Sequence, residues 1–292
     1  MSGKLTALLA AALLLAGCGE RPEQLSHLRK CDHLRIVSIA PNVTEILYAL
    51  GLGNRVVGVS RYSKYPPAAK NKPQVGGTYD PNWEMIVSLR PDLVIGLDSQ
   101  QEIAAQLKQL DIDFLGVPHE RVEEIMRSIL IIGEACGAEE KAQDLFQTLE
   151  ANVGQASSLS MHTQPNNNRQ SGSMSYIKPK VLVCIGHDEQ MSRMYVAAHN
   201  TFYDDLINLA GGTNACKQTA VKYPEISPEA LHAMQPDLII DILPDIGNVS
   251  STHWKHPNVV TITNDYAFIP GPRFGLLLDD FTKAIHMENE SE

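Results

Sequence analysis

One stretch of this chain is written twice. Asn82-Trp83-Glu84-Met85-Ile86-Val87-Ser88-Leu89-Arg90-Pro91-Asp92-Leu93-Val94-Ile95 returns as Ser227-Pro228-Glu229-Ala230-Leu231-His232-Ala233-Met234-Gln235-Pro236-Asp237-Leu238-Ile239-Ile240, and a single offset aligns the Glu, the Pro-Asp-Leu and the final Ile. Self-similarity across half a chain points to two lobes of one design. Each copy predicts a short helix feeding a buried strand. Asn82 and Ser227 are N-cap residues, whose side-chain oxygens accept from the first free helical N–H groups, and Pro228 takes the first helical position, where its missing N–H costs nothing. Glu84 and Glu229 therefore fall in the first turn. Pro91 and Pro236 end the helices, and the apolar runs from Leu93 and Leu238 suit interior parallel strands. Upstream, Tyr48-Ala49-Leu50-Gly51 parallels Asn208-Leu209-Ala210-Gly211, a helix end and a glycine stop in both halves.

The chain has 292 residues, enough for two domains, and its 43% hydrophobic content supplies a core for each. A formal net charge of -10 argues against nucleic acid as a partner, since phosphate binding needs concentrated Lys and Arg. At the N-terminus Lys4 precedes the apolar run Leu5 to Leu15, too short for a permanent span and right for a secretory signal. That run ends in Leu15-Ala16-Gly17-Cys18, which resembles a bacterial lipobox, so residues 1–17 are expected to be removed and Cys18 to carry lipid. Residues 18–34 then read as a tether. Cys31, Cys136, Cys184 and Cys216 remain, in an oxidising compartment; four cysteines allow three pairings, and Cys184 with Cys216 can form a bond or stay buried thiols.

Residues 35–137 read as the first α/β lobe. Arg35 to Ile39 predicts a strand, Asn42 with Glu45 a capping box for a helix through Leu50, and Val56 to Val59 the next strand; helix and strand alternate on through Val117. Repeated βα units imply a doubly wound parallel sheet, with ligand at the carboxyl ends of its strands. Residues 138–158, with Ala142, Leu145, Phe146, Leu149 and Val153 at helical spacing, predict a helix long enough to bridge two lobes. Residues 159–179 are polar and read as a flexible insert. Residues 180–286 repeat the α/β plan as a second lobe, and 287–292 form a polar tail.

No hydrolase, zincin, P-loop or dinucleotide motif is present, and none of the ten histidines pairs with another at i, i+4 on a credible helix. The alternative of a metal-dependent envelope protein or enzyme rests on His187 and His199 alone. A cleft between lobes is the better expectation. Tyr62, Tyr65 and Tyr79 of the first lobe, with Tyr223, Asp265, Tyr266 and Arg273 of the second, fall at strand ends, as does Asn42. Tyrosines combine a flat apolar face with a polar tip, which suits a large, partly polar ligand.

Arg35-Ile-Val-Ser-Ile-Ala-Pro-Asn-Val-Thr-Glu-Ile-Leu-Tyr-Ala-Leu-Gly51, Val57-Gly-Val-Ser-Arg-Tyr-Ser-Lys-Tyr-Pro-Pro67, Val75-Gly-Gly77 with Asn82-Trp-Glu84, and Pro270-Gly-Pro-Arg273 together resemble the periplasmic binding proteins of ABC importers for cobalamin and iron complexes. The resemblance runs from about Arg35 to His286. It implies two α/β lobes joined by one long helix, no enzymatic activity, no cofactor besides the bound ligand, and a monomer working with a membrane permease and its ATPase subunits at the cell envelope. It implies that Glu84 and Glu229 dock to permease arginines, in addition to complementing the helix dipole. Tyr65, Tyr79, Tyr223 and Asp265 fall where cobalamin-binding relatives place aromatic and acidic contacts, although Tyr79 and Tyr223 stand where tryptophan can occur and Ile269 where arginine is common. Cobalamin is thus the expected cargo, with ferric siderophore or haem as the alternative; haem would want a tyrosinate or His, such as His199, as axial ligand.

Overall fold

A computed structural model describes residues 34–162, 178–244 and 254–286. Cys18, the tether with Cys31, most of the insert and the tail lie outside the described residues. In the first lobe, β1 (Ile36–Ser38), α1 (Pro41–Ala49), β2 (Val56–Val59), α2 (Trp83–Leu89), β3 (Leu93–Leu97), α3 (Gln101–Gln109), β4 (Asp113–Val117) and α4 (Val122–Cys136) follow in order. The strands form one parallel sheet in the order β2-β1-β3-β4. All five residues of β3 are buried, as an interior strand covered on both faces requires.

The long helix is α5 (Glu139–His162); its 24 residues span about 36 Å. Ala142, Leu149 and Ala156 bury its apolar side in a core cluster that includes residues of both lobes. It continues to His162, a few residues into the segment expected to be insert. α4 was not anticipated, although Val122, Ile125, Met126, Ile129 and Ile132 recur at helical spacing and are all buried.

In the second lobe, β5 (Lys180–His187), β6 (Met194–Val196), α6 (Phe202–Leu209), β7 (Thr213–Asn214), β8 (Glu225–Ile226), α7 (Pro228–Met234), β9 (Leu238–Ile242), β10 (Val259–Ile262) and α8 (Phe274–His286) follow. Its sheet is mixed, not wholly parallel: β10, β9 and β5 run parallel, and β7 pairs parallel with β5, while β6 and β8 pair antiparallel. The short β5–β6 connection explains this, because a parallel return needs a crossover of a dozen or more residues.

The duplication holds in detail. Asn82 Oδ1 accepts from the Met85 N–H at 3.0 Å and Ser227 Oγ from the Ala230 N–H at 3.4 Å. α2 and α7 both stop on a left-handed residue before proline, Arg90 at φ 46° and Gln235 at φ 47°. In each motif the aspartate pins the start of the neighbouring strand: Asp92 accepts from the Arg35 N–H at 2.7 Å, and Asp237 from the Lys180 N–H at 2.7 Å. Gly51 and Gly211 adopt positive φ as the two helix stops.

One local expectation is corrected, and one open alternative is decided. Asn42 and Glu45 do not form a capping box: Ala40 is the N-cap and Pro41 opens α1, so both side chains lie inside the helix and are buried. Cys184 and Cys216 are not bonded; with Cys136 they are buried free thiols.

Candidate ligand cleft

A cleft of about 410 Å³ opens at the carboxyl ends of the first lobe's strands. Ala40, Pro41 and Asn42 reach it from the β1–α1 turn, Tyr62 from beyond β2, Thr78 to Asp80 from the following loop, Leu97 from the end of β3 and His119 from beyond β4. Phe268, Ile269 and Pro270 close it from the second lobe. The strand order places β1 and β3 side by side at the switch point of the sheet, where the connections part and leave a crevice.

The loop carrying Tyr79 is built tightly. Gly76 sits at φ +94°, and a Cβ there would lie 2.5 Å from the Asp80 carbonyl oxygen and 2.6 Å from the Asn82 nitrogen. The Gly76 carbonyl accepts from the Arg61 N–H at 2.8 Å, and Arg61 pairs with Asp80. Gln100 ties the loop to the sheet, accepting from the Leu97 N–H at 2.6 Å and donating to the Thr78 carbonyl. Tyr79 nevertheless stays 70% exposed and Tyr62 53% exposed at the cleft, with the Arg61 guanidinium 5.7 Å from the centre of the Tyr62 ring.

Beside the cleft, Arg273 joins the lobes. Its Nε and Nη2 donate to Glu45 Oε2 and Oε1 at 2.9 and 2.5 Å, and its Nη1 donates to Asp265 at 2.7 Å. The guanidinium lies 3.9 Å from the centre of the Tyr65 ring and 5.7 Å from that of Tyr266. Burial raises the Glu45 carboxyl above its ordinary value, partly offset by its bonds to Arg273. Burial works against the Arg273 charge too, but the bonds to Glu45 and Asp265 outweigh it and hold the guanidinium above its ordinary value. The two-pronged geometry is that of a charge-assisted pair. Gly271 lets the Pro270-Gly-Pro-Arg273 turn approach α1, its Cβ position falling 3.4 Å from Asn42.

The remaining candidates lie apart. Tyr266 donates to Asp280 at 2.7 Å, and burial with that bond pushes its phenol up to about 12. Tyr223 stands edge-on to Tyr203 at 6.4 Å, its phenol likewise raised to about 12 by burial and the nearby Glu120. His199 pairs with Asp204 at 3.2 Å, and His187 with Asp241 at 3.3 Å, where Trp254 Nε1 also donates at 2.8 Å. The two histidines thus serve separate networks within the second lobe. Among the described residues no group of three or more His, Cys, Asp or Glu side chains converges on a metal position. Glu84 and Glu229 stand exposed in the first turns of α2 and α7. A hydrogen bond from Ser227 holds the Glu229 carboxyl below its ordinary value.

Glu45, His119 and Phe268 were not anticipated at the site. A glutamate on the otherwise apolar face of α1 was the available signal for Glu45. For His119 it was only a lone histidine past a strand end.

Residues 36–241 match the family model described as periplasmic binding protein. The uncharacterized ABC transporter substrate-binding lipoprotein YvrC of Bacillus subtilis (strain 168) is 28% identical, covering 100% of this chain and 99% of its own. A vitamin B12-binding protein of Pectobacterium carotovorum subsp. carotovorum (strain PC1) is 26% identical over 82% of this chain and 83% of its own. Among solved structures, the periplasmic haem-binding protein RhuT from Roseiflexus sp. RS-1 superposes with a TM-score of 0.71 at 27% identity, covering 87% of this chain and 98% of its own. With two α/β lobes on a long helix and a cleft at the strand ends, the chain belongs to the periplasmic binding protein family and is a substrate-binding protein of an ABC importer, not an enzyme.

Proposed function

We propose that this protein, held at the cell envelope by lipid on Cys18, captures cobalamin or a related corrinoid between its lobes and delivers it to a membrane permease. The observation that carries this reading is the cleft wall itself. Tyr62 and Tyr79 line it from the first lobe and stay exposed, and Phe268 lines it from the second. Such a surface suits a large flat ligand with polar edges better than a small ion. The likeness to proteins named for vitamin B12 binding supports the same cargo. Haem is the second reading, favoured by the likeness to a haem-binding structure.

Glu84 and Glu229 complete the proposal as docking residues. They are equivalent by the internal repeat, exposed, and one on each lobe.

Equilibrium dialysis of the chain from Gly19 onward against cyanocobalamin tests the cargo. Saturable binding is expected. Tyr62→Ala with Tyr79→Ala is expected to weaken it by roughly 5- to 150-fold, as two lost stacking contacts of about 0.5 to 1.5 kcal/mol each imply. No uptake by the unaltered chain overturns the corrinoid reading.

A further inference from the structure

His119 stands in a loop fixed from several directions. The Ser128 hydroxyl holds the Pro118 carbonyl at 2.5 Å, and the Glu120 N–H donates to Glu124 at 2.9 Å. The Glu120 carboxylate pairs across the lobes with Lys222. Arg121 Nε and the Val122 N–H both donate to Asp205 of α6, at 2.8 and 2.9 Å. A side chain carried on so constrained a backbone is preorganised for its partner.

The ring lines the cleft, yet its Nδ1 is buried with no hydrogen-bond partner. A buried N–H without an acceptor is costlier and rarer than a bare acceptor nitrogen, so the proton belongs on Nε2. Nε2 makes no bond within the described protein and is not among the buried unpartnered atoms, which leaves it as the open edge of the ring. Burial keeps the imidazole below its ordinary 6.5, with Lys222 acting in the same direction and Asp98, Glu120 and Glu124 opposing. A second proton would have to sit on the partnerless Nδ1.

We propose that His119 is a specificity-determining residue of the cleft, a neutral imidazole fixed with its proton on Nε2 that donates a hydrogen bond to an uncharged carbonyl on the ligand rim. This deepens the corrinoid reading and rests on it: the rim of a corrinoid carries primary amides, whose carbonyl oxygens are such acceptors. The same tautomer prevents coordination of the ligand's metal. A metal-binding Nε2 must be bare, with the proton on Nδ1 and an acceptor beside it, and no acceptor is there.

Two measurements test this. Two-bond ¹H–¹⁵N correlation of the histidine side chains at pH 7, without ligand, is expected to show His119 protonated on Nε2 and bare on Nδ1; the opposite tautomer overturns the proposal. Calorimetric titration with cyanocobalamin is expected to give binding within threefold of the unaltered chain for His119→Gln, whose amide N–H replaces Nε2–H. His119→Phe is expected to bind about tenfold more weakly, as the loss of one hydrogen bond implies, with an unchanged melting temperature. Equal binding by His119→Phe removes the contact. A shift in the visible spectrum of aquocobalamin that depends on His119 shows coordination and also overturns it. If the unaltered chain takes up no cobalamin, the corrinoid reading falls together with the carbonyl contact, and the tautomer is still decided by the resonance experiment alone.

Discussion

Replacing Glu45 with Leu removes one half of the ion pair that ties α1 to the second lobe. Glu45 is 2% and Arg273 13% exposed at the side chain, so neither charge is well served by water once its partner is gone. Removing one member of a buried pair costs about 3 to 5 kcal/mol in general. Here Arg273 keeps Asp265 at 2.7 Å and the face of Tyr65 at 3.9 Å, but Asp265 is 55% exposed and compensates only in part. The expected loss is therefore about 2 to 3 kcal/mol, or roughly 4 to 12 °C in melting temperature for two lobes that share one core cluster and unfold as one unit. Circular dichroism melts of Glu45→Leu, Arg273→Met and the double variant form a double-mutant cycle. Because the apolar double leaves no uncompensated buried charge, it is expected to be more stable than either single variant. A Glu45→Leu cost below about 0.5 kcal/mol, or a double variant that loses the sum of the two singles, refutes the reasoning; residues that do not interact add in that way.

Two other outcomes follow from particular geometry. Gly76→Ala is expected to cost about 1 to 3 kcal/mol and to weaken cyanocobalamin binding, since the new methyl meets the Asp80 and Asn82 backbone; Gly137→Ala, at φ +67° with nothing within 4 Å, is the control that pays only the backbone term. Reversing the charge at Glu84 and Glu229 to Arg is expected to abolish ligand uptake by cells while equilibrium dialysis shows unchanged ligand binding; loss of both, or of neither, removes the docking role.

Much of the frame is legible in one dimension because it depends on local chemistry. The repeated Asn or Ser cap, first-turn Glu and Pro-Asp pair dictate a helix, a stop and a buried strand wherever they occur, and α2–β3 and α7–β9 follow from them. Gly51 and Gly211 are read as stops for the same reason. What escapes is long-range. Glu45 three residues after Asn42 has the spacing of a capping box, but its partner Arg273 lies 228 residues away, and Pro41 already opens the helix. The antiparallel β6 and β8 are too short for alternation to declare them. His119 carries only the weak signal of a lone histidine past a strand end; its meaning comes from an orphaned Nδ1 and a loop pinned by Ser128, Lys222 and Asp205. Tyr62 and Tyr79 could be placed at strand ends from sequence, whereas the engagement of Tyr266 by Asp280 and of Tyr65 by Arg273 required the fold.

The most direct test of the central claim is isothermal titration of the chain from Gly19 onward with cyanocobalamin, run in parallel with haemin, a ferric hydroxamate and a ferric catecholate. The account predicts saturable one-to-one binding of cyanocobalamin at submicromolar affinity, tighter than for any of the iron complexes. Tight binding of one iron complex with none of cyanocobalamin contradicts the corrinoid assignment.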